Sequence, residues 1–174
     1  RTLLDEALPP AGLALRLNEQ LMRHSPRSRF ITAFIGLFDP RTGEVRYVNA
    51  GQNPPMVRRA SGRLEWLAPT GMALGLSRKA TYDEATVTLS AGDVLLAYSD
   101  GITEAESPNG ASFEEDGLRV LADQMDGMRA GDIARVVIDA VKTHTDDTTL
   151  FDDLTVLVCR RVPDVPPPPP LPIG

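Results

Sequence analysis

The chain is poor in several things that would have decided its class at once. A single cysteine, Cys159, stands among 174 residues, so an internal disulfide is impossible. Aromatic residues make up 5%, too few for a series of base-stacking platforms. Basic residues are outnumbered, 18 Lys and Arg against 24 Asp and Glu, for a net charge of −6. They are also scattered, with Arg23, Arg27 and Arg29 the nearest approach to a cluster. That argues against the basic stripe by which a protein neutralises nucleic-acid phosphates, and no nucleic-acid partner is expected. No apolar run approaches the ~18–20 residues that cross a bilayer. Arg1-Thr2-Leu3-Leu4-Asp5-Glu6 lacks the charged, apolar and cleavage regions of a signal peptide. No internal repeat of roughly 20–50 residues is visible. These absences fit a cytoplasmic protein, or the cytosolic part of a longer membrane-anchored sensor.

What is present is a globular composition, 42% hydrophobic and 24% charged, at about the length of one domain. Proline is the exception in its placement. Residues 162–174 hold seven of the fifteen prolines, five of them consecutive at 166–170. Such a run favours polyproline II and cannot join a packed core, so it reads as a tail or linker. The globular part is then residues 1–161.

Residues 1–8 read as the end of a helix stopped by Pro9-Pro10. Residues 11–23 place Leu13, Leu17 and Leu21 on one helical stripe. From Phe30 the period changes. Residues 30–38 are β-rich and apolar on both faces, as in a central strand, and Asp39-Pro40-Arg41-Thr42-Gly43 is turn chemistry. Residues 44–49 alternate polar and apolar, completing a hairpin. A second hairpin is expected from 55–59 and 63–67 around Ser61-Gly62. Strands follow at 82–89 and 93–98, joined by Ser90-Ala91-Gly92, then helices at 114–125 and 132–144. A closing strand at 154–160 is again apolar on both faces and reads as central. Hairpins first, helices later and a final strand make an α+β architecture of two packed sheets with helices outside.

Two segments could carry chemistry. Val94-Leu95-Leu96-Ala97-Tyr98-Ser99-Asp100-Gly101 is an apolar strand ending in a carboxylate, with a glycine that lets the backbone turn. A fixed carboxylate beside a freed carbonyl suits a hard cation, although for the motif alone an ordinary Asp-Gly turn is the favoured reading. Phe151-Asp152-Asp153-Leu154 puts two carboxylates at the mouth of another apolar strand, where only one can face a given site. Taken alone, that too is a solvated strand entrance. If the two strands are neighbours, Asp100 and Asp152 can share a divalent ion, the logic of metal-assisted hydrolysis.

The order of four stretches resembles the SpoIIE/RsbU-like branch of the metal-dependent (PPM, type-2C) serine/threonine protein phosphatases. They are Arg29-Phe30-Ile31-Thr32-Ala33-Phe34, Tyr47-Val48-Asn49-Ala50-Gly51-Gln52-Asn53-Pro54-Pro55, Tyr98-Ser99-Asp100-Gly101-Ile102-Thr103-Glu104-Ala105 and Asp152-Asp153-Leu154-Thr155. The similarity covers almost all of residues 1–161. It implies an αββα sandwich of two antiparallel sheets flanked by helices. It implies Asp100 and Asp152 as catalytic, metal-binding carboxylates for Mn²⁺ or Mg²⁺ in a two-metal centre, with Gly101 helping through its backbone. Asp153, Glu104, Gln52 and Asn53 are secondary candidates. A water on the metal would attack phosphorus directly, with no phosphoenzyme. The implied substrate is a phosphorylated STAS-type anti-sigma-factor antagonist in a bacterial partner-switching pathway. The resemblance also leaves room for an upstream sensor domain and for a homodimer through the N-terminal helices.

Two departures stand against it. The Gly-Asp and Asp-x-x-Gly-x-Gly segments that normally supply further carboxylates upstream are absent, so the domain is expected to lack its N-terminal strands. A non-catalytic interaction or regulatory module with an incomplete metal centre is therefore the alternative. The loop also carries Gln52 where histidine is usual, and glutamine does not titrate near neutral pH. A rival Ser-His-Asp chemistry from His24 with Ser25, or from His144 near Asp146, lacks a Gly-x-Ser-x-Gly elbow. Both histidines fall near expected helix ends, where a positive charge suits the dipole. Cys159 reads as a small core residue.

Overall fold

The computed structural model describes residues 8–24, 29–146 and 153–162. The expected helix over 1–8 lies outside the described residues, apart from Leu8, which sits just before a helix and not in one.

Helix α1 runs from Pro10 to His24. Proline suits a first helical position because its missing N–H would have no intrahelical partner there. Strands β1 (Ala33–Asp39) and β2 (Glu44–Ala50) form the expected hairpin, in register from Ala33 opposite Ala50 to Asp39 opposite Glu44. Its turn closes because the Asp39 carboxylate accepts from the Arg41 amide at 2.9 Å and Gly43 takes a φ of 79°. Strands β3 (Met56–Arg58) and β4 (Leu64–Trp66) make the second hairpin, with Gly62 at a φ of 87°. Then come β5 (Ala85–Thr88), β6 (Val94–Tyr98), a one-turn helix α2 (Asp100–Thr103), α3 (Glu114–Ala122) continued by a 3₁₀ turn to Met125, α4 (Ala130–His144) and β7 (Val156–Arg160).

The strands form two antiparallel sheets, in the orders β1-β2-β5 and β4-β3-β6-β7. Ser90-Ala91-Gly92 thus carries the chain from one sheet to the other. Strand alternation sorts the side chains into three apolar layers. Val45 and Tyr47 of β2 meet Val57 of β3 and Leu95 of β6 between the sheets. The opposite face of β2, Val48 and Ala50, packs with Ala14, Leu17 and Leu21 of α1. The opposite face of the second sheet, Met56, Val94, Leu96 and Tyr98, packs under Leu118 of α3 and Ile133, Val137 and Val141 of α4. Each fully buried Leu, Ile or Val contributes roughly 1.5–3 kcal/mol of burial free energy before entropy is set against it. The result is the αββα sandwich, with α1 on one side and α3 and α4 on the other.

Two strands depart from the sequence reading. Both β1 and β7 were expected to be central, and among the described residues both are sheet edges. Leu37 is 50% exposed in β1 and Leu157 is 58% exposed in β7. An apolar pattern reports what covers the faces of a strand, whereas centrality depends on lateral partners, which the pattern does not encode. The other differences are at boundaries, chiefly β5, which starts at Ala85 instead of residue 82. One polar residue lies on the buried side of α1. Asn18 donates to the Ser77 carbonyl at 2.9 Å and accepts from the Gly75 amide at 2.8 Å, tying the long β4–β5 loop to the helix.

Candidate metal centre

Strands β6 and β7 are ladder neighbours, with Tyr98 opposite Val156. The end of β6 therefore lies beside the beginning of β7, as the sharing of one ion by Asp100 and Asp152 requires.

Just past Tyr98 the backbone at Ser99 is extended, with φ −83° and ψ 162°, and α2 starts at Asp100. A serine in that position usually caps its own helix. Ser99 does not. Its hydroxyl donates to the Asp153 carbonyl and accepts from the Thr155 amide, both at 3.0 Å, while its own amide donates to the Thr155 carbonyl at 3.0 Å. Three hydrogen bonds thus join the exit of β6 to the approach of β7. The Asp100 side chain is exposed, and its Oδ1 accepts from the Gly101 amide at 3.0 Å. Behind it, Gly101 and Ile102 are buried, and Ile102 anchors α2 in the layer under α3. Glu104 is exposed, and its amide closes the turn on the Asp100 carbonyl at 2.8 Å.

The loop after β2 reaches the same place from the other sheet. Gln52 donates from its side-chain amide to the Tyr98 carbonyl at 2.8 Å. Its backbone amide donates to Oδ1 of the fully buried Asn49 at 2.8 Å. Asn53 donates to the Thr103 hydroxyl at 2.9 Å, and that hydroxyl donates to the Asp100 carbonyl at 3.2 Å. Gln52 and Asn53 therefore bridge two sheets and hold the turn that presents Asp100. Gln52 keeps an amide donor and an amide acceptor at every pH, whereas protonation of a histidine there would turn its acceptor nitrogen into a second donor.

Of the residues singled out in the sequence, Asp100, Gly101, Glu104, Gln52 and Asn53 come together at this end of the sandwich. Asp153 is exposed at the approach to β7, joined to the group by its backbone. Asp152 lies outside the described residues. Sequence reasoning gave Ser99, Thr103 and Asn49 no role. Their partners are up to 56 residues distant, so no local pattern marks them.

Carboxylate and carbonyl oxygens are the donors that Mg²⁺ and Mn²⁺ prefer, and those present fit part of such a shell. Among the described residues, no group of three or more His, Cys, Asp or Glu side chains could hold a metal ion.

Among the described residues the rival chemistry has no such assembly. His24 is exposed in the last turn of α1, and Ser25 is outside the described residues. The His144 Nε2 lies 2.8 Å from the Ala111 carbonyl, and its ring meets Phe113 edge-on. Cys159 is half-buried in β7, and burial raises its thiol pKa, which disfavours the reactive thiolate.

Comparison with known proteins follows the same line. The family described as Stage II sporulation protein E (SpoIIE) matches residues 1–162. Protein IcfG of Synechocystis is 29% identical over 155 residues, covering 85% of this chain and 24% of its own. Phosphoserine phosphatase RsbU of Bacillus subtilis is 26% identical over 161 residues, covering 92% of this chain and 48% of its own. The chain thus spans about a quarter to a half of the length of these relatives. Among solved structures, the SiaA-PP2C domain of Pseudomonas aeruginosa superposes with a TM-score of 0.75 at 16% identity, covering 87% of this chain and 61% of that one. The manganese-presoaked phosphatase domain of SpoIIE from Bacillus subtilis superposes at 0.62 with 19% identity, covering 94% and 70%. At such identities these two structures establish the shared fold.

Proposed function

The chain belongs to the SpoIIE family, and from that premise we propose that it is the catalytic part of a metal-dependent protein serine/threonine phosphatase. The observation that carries the reading is the pairing of β6 with β7, which brings the end of β6, at Asp100, beside the approach to β7, at Asp153. Asp100 and Asp152 would hold Mn²⁺ or Mg²⁺ with help from the Gly101 backbone. The manganese soak of the SpoIIE relative supports that choice of ion. When bound, such an ion supplies Lewis acidity toward a phosphoryl oxygen and lowers the pKa of a water.

This chain's own residues supply position. Ser99 locks the approach to β7 against β6, and Gln52 and Asn53 brace the Asp100 turn from the other sheet. Holding donors in place before the reaction removes reorganisation from the barrier. The substrate proposed is a phosphoserine or phosphothreonine on a STAS-type anti-sigma-factor antagonist. Support comes from the family and from the RsbU relative, named a phosphoserine phosphatase. An upstream sensor, a homodimer through the N-terminal helices and a cytoplasmic location belong to the same proposal. So does the division into a phosphatase domain at 1–161 and a proline-rich tail at 162–174.

The test is phosphate release from a phosphoserine peptide by the native-length protein, with and without Mn²⁺, beside Asp100→Asn. Manganese-dependent release that is lost in the variant is the expected result. Release indifferent to both the ion and Asp100 would sink the reading.

A further inference from the structure

Helices α3 and α4 leave an open groove between them, of ≈ 750 Å³, on the outer side of the sandwich. Its lining includes Phe113, Val120, Val136 and Ala140. Val120 is 69% exposed, the most exposed of the large apolar residues described.

Local geometry that is costly elsewhere converges here. Glu114, at the start of α3, has a φ of 53°, a left-handed conformation that is unfavourable for a non-glycine residue. Gly117 sits within α3, where glycine is less favourable than alanine. A Cβ on Gly117 would stand 2.5 Å from the Phe113 ring. Its absence lets that ring fold against the helix and form one end of the groove, where it also meets His144.

The charges are of one sign. Each helix contributes one carboxylate to the lining, Asp116 from α3 and Asp139 from α4; among the described residues no Lys or Arg lines the groove, and His144 is its one other titratable side chain. Arg119 lies 3.4 Å from Asp116, but its guanidinium is over the Trp66 ring, 4.1 Å from the centroid. Acidic residues in the first turn of α3 also suit its dipole, which accounts for Glu114, Glu115 and Asp116 but not for Asp139 near the end of α4. Along α3 and the 3₁₀ turn that continues it, the lining extends from Asp116 to Gln124. At 1.5 Å per residue that is roughly 12 Å, the length of about two helical turns.

We propose that the α3–α4 groove is a docking site for an amphipathic helix of a protein partner, with apolar side chains on Val120 and Val136 and flanking Lys or Arg residues opposite Asp116 and Asp139. A helix in this groove would use apolar anchors at i, i+3, i+4 and i+7. The proposal uses none of the residues placed around Asp100 and does not depend on the phosphatase reading.

The test uses two fluorescein-labelled helical peptides with the same leucine anchors, one flanked by lysines and the other by glutamates. Fluorescence anisotropy is followed as the 174-residue chain is titrated in. The lysine-flanked peptide should bind at least about tenfold more tightly than the glutamate-flanked one. Val120→Glu, and separately the double variant Asp116→Lys/Asp139→Lys, should each weaken its binding about tenfold or more. Val120 and both aspartates are largely exposed, and unchanged circular dichroism would show that the variants fold. Equal affinity for the two peptides, indifference to Val120→Glu, or no binding by either peptide would overturn the proposal. So would a self-associating chain that Val120→Glu makes monomeric, because the groove would then hold a second copy.

Discussion

Two aspartates stand at opposite ends of β6, Asp93 before it and Asp100 after it, and their surroundings differ in every respect. Asp93 is 2% exposed and both of its oxygens are engaged. It accepts from Arg59 at 2.9 Å, from the Ala60 amide at 2.8 Å and from the Ser90 amide at 2.9 Å. Arg59 also grips Glu65 at 2.7 Å, so one guanidinium closes the β3–β4 hairpin and the crossing between sheets. Asp100 is exposed and accepts from the amide of the adjacent Gly101. A carboxylate saturated by protein donors acts as a staple. One held in place by its backbone, with its side chain facing water, is available to a ligand.

Substitutions test this contrast directly. The largest effect expected on folding is from Asp93→Ala, which takes one of its acceptors from Arg59 and leaves the Ala60 and Ser90 amides without the carboxylate they bond. The variant should lose about 3 kcal/mol in urea denaturation. Metal-dependent activity of the folded fraction should be preserved. Asp100→Asn should do the reverse, cutting activity at least about 100-fold, or about 2.7 kcal/mol in barrier terms, with its urea midpoint nearly unchanged. If both variants lost the same property, the two ends would not be functionally distinct.

Acid titration sharpens the comparison. Burial pushes the Asp93 carboxyl upward, but hydrogen bonds from Arg59, Ser90 and Ala60 outweigh it and leave its pKa below the ordinary 3.8. Between the lowered value and 3.8 the unfolded chain binds more protons, so stability rises with pH across that window. The contribution of Asp93 is therefore complete above about pH 4–5 and is lost as pH falls through its folded pKa. Urea midpoints measured from pH 6 to pH 3 should fall less steeply in Asp93→Asn than in the parent. An identical slope would remove Asp93 from the account.

Smaller effects are expected from the residues that brace the Asp100 turn. Ser99→Ala removes two hydrogen bonds between the strand ends. It should weaken Mn²⁺ binding about 10-fold by calorimetry and cost about 1 kcal/mol of stability. Gln52→His should change activity less than about threefold near neutral pH, because an imidazole N–H can replace the amide donor to Tyr98. A larger loss would mean that the side chain does more than fasten the loop.

The elements and their order were legible in the amino-acid pattern because that pattern is local. Leu13, Leu17 and Leu21 recur at helical spacing, residues 44–49 alternate, and Gly43 and Gly62 stand at turns that require a positive φ. The two segments bearing Asp100 and Asp152 could be picked out for the same reason, each being a short motif at the end of an apolar run.

What neighbours what was decided only by tertiary structure. That β6 lies beside β7, that β1 and β7 are edges among the described residues, and that Ser99 reaches Asp153 and Thr155 depend on lateral pairing across more than fifty residues of sequence. The two aspartates of β6 make the same point. Asp93 and Asp100 each sit beside a glycine at the edge of one apolar strand, and that pattern alone does not mark which of them is sealed by distant donors. Arg59 folds back to one of them and not to the other. Periodicity records which faces are apolar, while the identity of a partner is set by the packing of the whole chain.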